Sequence, residues 1–169
     1  MFRRTPLLLG ALPVAVLALA ACGGSASNAL PTTPSGHPAT VGVASTGLGD
    51  VLVDRQGRTL YFFGRDSGTV SSCMGSCAAN WPPLSAGRNP AIGSGAKAAD
   101  VGTTSRPDGR SQLTYSGHPL YTFVNDKKPG DTNGEGIKAF GGSWFAVSPS
   151  GSKVAPASKP QGGGGYGGY

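Results

Sequence analysis

The chain has 169 residues, of which 29 are glycine, 14 are proline and 13% are charged; 14 Lys and Arg against 8 Asp and Glu give a formal charge of +6. The basic residues are scattered, with Arg55, Arg58 and Arg65 in one region and Lys127 and Lys128 in another. No basic stripe interleaved with aromatics is present, which excludes the usual nucleic-acid surface.

Arg3 and Arg4 precede the uncharged run from Pro6 to Ala21. That run is short for a membrane span, which takes about 20 apolar residues, and it has the flanks of a secretory signal. It closes in Leu19-Ala20-Ala21-Cys22, which resembles a bacterial lipobox. The expectation is a signal peptide over residues 1–21 and a diacylglycerol on the thiol of Cys22. Loss of Arg3 and Arg4 leaves 12 basic against 8 acidic side chains, a formal charge of +4. That balance suits a solvated surface close to anionic lipid or polymer. Residues 22–45 are Gly-, Ser-, Ala-, Pro- and Thr-rich without apolar periodicity and read as a flexible tether.

The folded region is expected over residues 46–149, long enough for one small core. "VLVDRQGRTLYFF" reads as strand, turn at Arg55-Gln56-Gly57, strand; "QLTYSGHPLYTF" repeats the pattern around Ser116-Gly117. "GRTLYFFGRD" (57–66) and "GHPLYTFVND" (117–126) agree at five of ten positions. Pro119 replaces Thr59, so its strand begins there or runs along an edge. Trp81 follows Asp66 by 15 residues and Trp144 follows Asp126 by 18, and "SWFAVSP" reads as a further strand. A short turn at Ala78-Ala79-Asn80 is the one helical candidate. The pattern predicts an all-β fold: a small antiparallel domain of two repeats, 46–86 and 110–149, each a hairpin plus a Trp strand. The connection between them has no readable course. Residues 150–169 are glycine-dense and poor in bulky aliphatics, which predicts a disordered tail.

Positions two apart on a strand share a face, so Tyr61 and Phe63 point one way and Leu60 and Phe62 the other. The second copy keeps Leu120, Tyr121 and Phe123. Tyr and Phe are therefore expected in the core, with the tyrosine hydroxyl finding a partner at its rim. Asp66 and Asp126, three residues on, are expected to cap backbone N–H groups of a turn. On this reading the doubled motif is architecture.

Tyr61-x-Phe63-x-x-Asp66 and Tyr121-x-Phe123-x-x-Asp126 resemble a family of bacterial lipoproteins defined by a Tyr-x-aromatic-x-x-Asp motif and labelled a secreted repeat of unknown function. The resemblance extends over "CMGSCAANWPPL" (73–84) and "DKKPGDTNGEG" (126–136), and so over most of residues 46–149. It implies a secreted or lipid-anchored envelope protein and carries no established activity.

With Cys22 committed to lipid, Cys73 and Cys77 form an even pair in an oxidising compartment and read first as a disulfide. The alternative is copper, held by Cys73 and Cys77 at helical spacing with Met74 and His118 as further ligands. Counted back from the tryptophans, Cys77 and Cys73 take the places of Phe140 and Gly136, so an aromatic plug would replace the clamp in the second copy. Asp126, Asp131, Asn133 and Glu135 are oxygen donors within ten residues, but the EF-hand order fails and turn dipeptides dominate. His118 has no nucleophile assignable by spacing, and His37 lies in the tether. Asp66 and Asp126 form a carboxylate pair only if the two turns meet. Trp81 and Trp144 read as core, or as a platform for sugar or peptide if exposed.

The sequence thus predicts an exported protein anchored through Cys22 to a bacterial membrane, with its domain outside the cytoplasm. Its expected role is non-catalytic, binding or structural, with no cofactor and with an envelope polymer or protein as partner. The alternative is a copper-binding or redox accessory lipoprotein using Cys73 and Cys77.

Overall fold

The computed structural model describes residues 40–154. The signal peptide, Cys22, most of the tether and the glycine-dense end of the tail lie outside the described residues. The elements run β1 Gly42–Thr46, β2 Gly49–Val53, β3 Tyr61–Phe63, α1 Ser76–Asn80, a 3-10 turn Ala98–Asp100, β4 Val101–Ser105, β5 Ser111–Tyr115, β6 His118–Pro119, β7 Lys138–Ala139 and β8 Gly142–Ala146. They form three small antiparallel sheets, β1-β2, β3-β8-β7 and β4-β5-β6, so the all-β reading and its two repeats hold. The one-turn helix α1 covers Ala78-Ala79-Asn80, where the lone helical candidate lay.

The folded part starts and ends outside the limits read from composition. Thr40 and Val41 are buried and β1 pairs along its whole length with β2, so residues 40–45 belong to the domain. At the other end Val147 bridges Lys153 and Val154 is buried, which extends the fold past Ser150. The connection between repeats also contains a strand, β4, paired with β5 as β1 is with β2. Strands β1 and β4 do carry a signal of the repeat. "VGVAS" (41–45) and "VGTTS" (101–105) share three of five residues at the sixty-residue spacing of the motif. Small and hydroxylated side chains hid these strands among linker-like composition.

The two copies are interlocked. Tyr61 and Tyr121 exchange both backbone hydrogen bonds, N–H to C=O at 2.8 and 2.9 Å, which places a pseudo-two-fold axis between them. Around that axis the central bonds come in matched pairs. Gly64 N donates to Ser143 O (2.8 Å) as Val124 N donates to Asn80 O (3.1 Å). Val147 N donates to Leu60 O (3.0 Å) as Leu84 N donates to Leu120 O (2.8 Å). Leu52 N donates to Val147 O (2.7 Å) as Leu113 N donates to Leu84 O (2.8 Å). The motif strand of each repeat therefore pairs with the Trp strand of the other, β3 with β8 and Tyr121 with Pro83.

Both faces of this central layer are covered. Tyr61, Phe63, Tyr121, Phe123, Trp81 and Trp144 lie in one buried cluster, while Leu52, Leu60, Leu113, Leu120 and Val147 lie in the other. The alternation read from period two is what sorts them.

Because the motif strand of each copy takes its partners from the other copy, neither copy can satisfy that strand's backbone alone. We expect fragments 40–97 and 98–154 to give unfolded circular dichroism spectra separately and a folded spectrum when mixed. A folded spectrum from either fragment alone would contradict the interlocking.

Candidate functional site: the exchanged tyrosine–aspartate pairs and the cystine loop

The motif residues are exchanged across the axis just as the strands are. Tyr61 Oη donates to Asp126 Oδ2 and Tyr121 Oη to Asp66 Oδ2, both at 2.7 Å. The second oxygen of each carboxylate caps a loop, as anticipated. Asp66 Oδ1 accepts from Ser72 N (2.7 Å) and Ser72 Oγ (2.9 Å). Asp126 Oδ1 accepts from Asn133 N (2.9 Å) and Asn133 Nδ2 (3.2 Å). The two aspartates are thus each bonded to a tyrosine of the opposite copy, and they make no dyad with one another. The tyrosine hydroxyls are buried, not at a rim, because Tyr61 and Tyr121 are fully covered.

Between the tyrosines lies a ladder of aromatic rings. Trp81 and Trp144 stack face to face with centroids 3.9 Å apart and planes 1° from parallel. Phe63 stacks on Trp144 and Phe123 on Trp81, each at 4.2 Å, so each phenylalanine covers the tryptophan of the other copy. Tyr61 meets Trp81 edge-on at 5.4 Å and Tyr121 meets Trp144 edge-on at 5.1 Å. Contacts of this kind add about 0.5–1.5 kcal/mol each beyond area burial. The tryptophans are core, and the exposed-platform reading does not hold. Gly134 closes one end of the ladder: a Cβ there would lie 2.7 Å from Tyr61 Cζ and 2.8 Å from Trp81 Cη2.

The electrostatics follow from burial. Desolvation, with the hydrogen bond to Asp126 adding to it, pushes the Tyr61 phenol well above its ordinary value of 10.0. Tyr121 is also raised, chiefly by burial, with Ser71 pulling down and Asp66 pushing up. Burial raises the Asp126 carboxyl against the opposing bonds from Tyr61 and Asn133. On the Tyr121 side a buried arginine joins in. Arg106 Nη1 donates to Ser71 Oγ and Gln112 Oε1, both at 2.6 Å, and Nη2 donates to Cys73 O at 2.6 Å. Ser71 in turn bonds the Tyr121 hydroxyl at 2.7 Å. Sequence reading did not single out Arg106; an arginine before Pro107 in a glycine-rich hairpin looks like a surface turn residue.

Cys73 and Cys77 are joined as a disulfide, with Cα atoms 5.2 Å apart. Closing so short a loop contributes roughly 2 kcal/mol on the chain-entropy account. Met74 Sδ lies 3.1 Å from Arg106 Nη2, a cation donor. His118 stacks on Phe62 at 4.7 Å, and Phe62 packs against the cluster opposite the cystine. Among the described residues no three His, Cys, Asp or Glu side chains converge as a metal site. The second copy holds the same place differently: β7 and β8 form a hairpin where the first has the cystine and α1. Phe140 sits at its turn with φ 56° and 39% exposure, so it is no plug.

The oxygen donors of the second loop are also accounted for by the backbone. Asp131 Oδ2 accepts from Lys127 N (2.9 Å) and Lys128 N (3.1 Å), and Glu135 Oε2 accepts from Ala146 N (2.6 Å). Asp131 caps its own turn, and Glu135 bonds the end of β8. A surface hollow of about 310 Å³ lies between the Asp54–Arg58 turn and Pro82–Ser85, and no motif tyrosine, phenylalanine, aspartate or tryptophan lines it.

A family model matches residues 42–85 and 102–148, the two copies whose exchange builds the core. The chain belongs to a lipoprotein family described as a secreted repeat of unknown function. No curated protein and no solved structure matches it. The first match starts with β1 and the second one residue into β4, in agreement with the structure on where each repeat begins. Membership in a secreted family points to a location outside the cytoplasm. No helix among the described residues is long and apolar enough to cross a membrane.

Two outcomes are expected of this site. Below pH 10 both folded and unfolded chains keep the Tyr61 and Tyr121 protons, so these groups do not tilt the equilibrium. Above it the unfolded chain releases them first, because the folded values are raised, and stability falls as pH climbs. The urea midpoint should decline above pH 10, and less steeply in the Tyr61→Phe/Tyr121→Phe variant. That variant should itself be less stable at pH 7 by about 1–3 kcal/mol per lost bond. Separately, the protein prepared without reductant should leave Cys73 and Cys77 unalkylated in one linked peptide. Two alkylatable thiols would reopen the copper reading.

Proposed function

We propose that the protein is a non-catalytic module of the bacterial envelope, lipid-anchored at Cys22, with its rigid β domain held outside the membrane by a short tether. The observation that carries the non-catalytic reading is the employment of the motif. Tyr61, Phe63, Asp66 and their counterparts Tyr121, Phe123 and Asp126 are all engaged in ring stacking, strand pairing or loop capping within the molecule. The anchoring rests on the charged, apolar and small-residue segments leading to Cys22, and on membership in a lipoprotein family. With its motif turned inward, the domain would meet an envelope polymer or protein through its turns and loops, where Arg55, Lys127 and Lys128 are exposed.

The anchor is tested by metabolic labelling with palmitate in a bacterium that exports the chain, followed by mass analysis of the mature N-terminus. The wild type should incorporate label and begin at a diacylglyceryl Cys22, and Cys22→Ala should incorporate none. An unlabelled wild-type chain would remove the membrane from this reading.

A further inference from the structure

The ring ladder has features that packing alone does not require. Four oxidisable rings lie in series, Tyr61–Trp81–Trp144–Tyr121, with successive centroid separations of 5.4, 3.9 and 5.1 Å. Each terminal phenol donates to a carboxylate at 2.7 Å, within the range over which a proton is transferred directly. One inner ring differs from the outer ones in this respect. Trp144 Nε1 is buried without any hydrogen-bond partner, a rare condition that asks for an explanation. Tyr115 offers an internal contrast: it lies in the other cluster, and its hydroxyl donates to the carbonyl of Pro149 at 2.9 Å, a group that cannot take up a proton at neutral pH.

We propose that these four rings form a one-electron redox unit, in which the stacked indoles conduct an electron vacancy and the tyrosine–aspartate pairs hold it. The partner is an outer-sphere one-electron acceptor of high potential. It takes one electron from the Trp81–Trp144 pair and leaves reduced, and the pair becomes an indole radical cation. The face-to-face overlap spreads that charge over two rings. With no acceptor at Nε1, Trp144 cannot trap the vacancy by releasing its proton. An electron then passes from the Tyr61 phenol to the indole as the phenol proton crosses to Asp126 Oδ2. The products are a neutral indole, a neutral phenoxyl radical and a protonated Asp126, so charge and protons balance. Tyr121 and Asp66 provide the same step on the other side of the axis. The two ends are not equivalent, since Asp126 is buried and Asp66 is partly exposed. A proton on Asp126 is retained for return, whereas one on Asp66 can escape to water and leave a longer-lived radical. This function lies beyond the envelope-module reading and does not depend on the anchor.

The test is flash oxidation of the full mature chain by photo-excited ruthenium tris-bipyridine with a sacrificial cobalt(III) acceptor, read by transient absorption and electron paramagnetic resonance. Tyr166→Phe and Tyr169→Phe are present throughout to silence the tail. A phenoxyl signal should form, disappear in Tyr61→Phe/Tyr121→Phe and survive in Tyr115→Phe. In Asp66→Asn/Asp126→Asn the amide keeps the hydrogen bond but cannot hold the proton, so the phenoxyl should be lost and an indole radical should persist. Near-ultraviolet circular dichroism checks each fold; if the double aspartate variant does not fold, Asp66→Asn in a Tyr61→Phe background poses the same question at the Tyr121 pair. Absence of a phenoxyl in the wild type, its survival in Tyr61→Phe/Tyr121→Phe, or its indifference to the asparagine substitution would each overturn the proposal.

Discussion

The reciprocal pair of backbone bonds between Tyr61 and Tyr121 is the constraint on which the remaining structure depends. It joins two short strands, one from each copy, at the centre of the molecule. Each strand then finds its outer partner in the Trp strand of the opposite copy. Once this register is set, period two sends the tyrosines and phenylalanines of both copies to one face and the leucines to the other. The two tryptophans are thereby brought to the axis itself, where near-perfect parallel stacking is the symmetric solution. A slip of one residue would exchange the two faces and lose both clusters together.

The loops that follow each aspartate show how one symmetric core tolerates unequal surroundings. Both begin alike, with a carboxylate bridging the far tyrosine and a backbone N–H six or seven residues on. From there the first is held by a cystine, a helical turn and the buried Arg106, and the second by the β7–β8 hairpin and the close approach of Gly134. Arg106 carries a charge into the interior, a cost that its bonds to Ser71, Gln112 and Cys73 offset. Those bonds tie the β4–β5 hairpin of the second copy to the cystine loop of the first. The exchange therefore extends to the periphery of the fold.

Strand and turn positions near the motif were legible because aromatic and aliphatic alternation is a local property. The hairpin turns at Gln56-Gly57 and Ser116-Gly117, the strand through Trp144 and the turn before Trp81 all came from spacing within a dozen residues. Strands β1 and β4 were not legible. Gly42, Ala44, Ser45, Gly102, Thr103 and Thr104 carry little apolar signal, and they are strands because a neighbour already in place offers them bonds. Phe140 misled for the opposite reason, an aromatic residue in a place that the tertiary fold leaves in solvent.

By itself the sequence determined that this is a duplicated β domain of a secreted-repeat family, that its motif belongs to the core, and that Cys73 and Cys77 stand as a pair four residues apart. Those conclusions need only composition, period and repetition. Tertiary structure alone decided that each tyrosine answers the other copy's aspartate, that the tryptophans stack on one another, and that Arg106 is interior. A repeat in sequence is equally compatible with two domains side by side and with two halves interlocked. The choice rests on hydrogen bonds between residues sixty apart, and no local pattern records which copy supplies the partner.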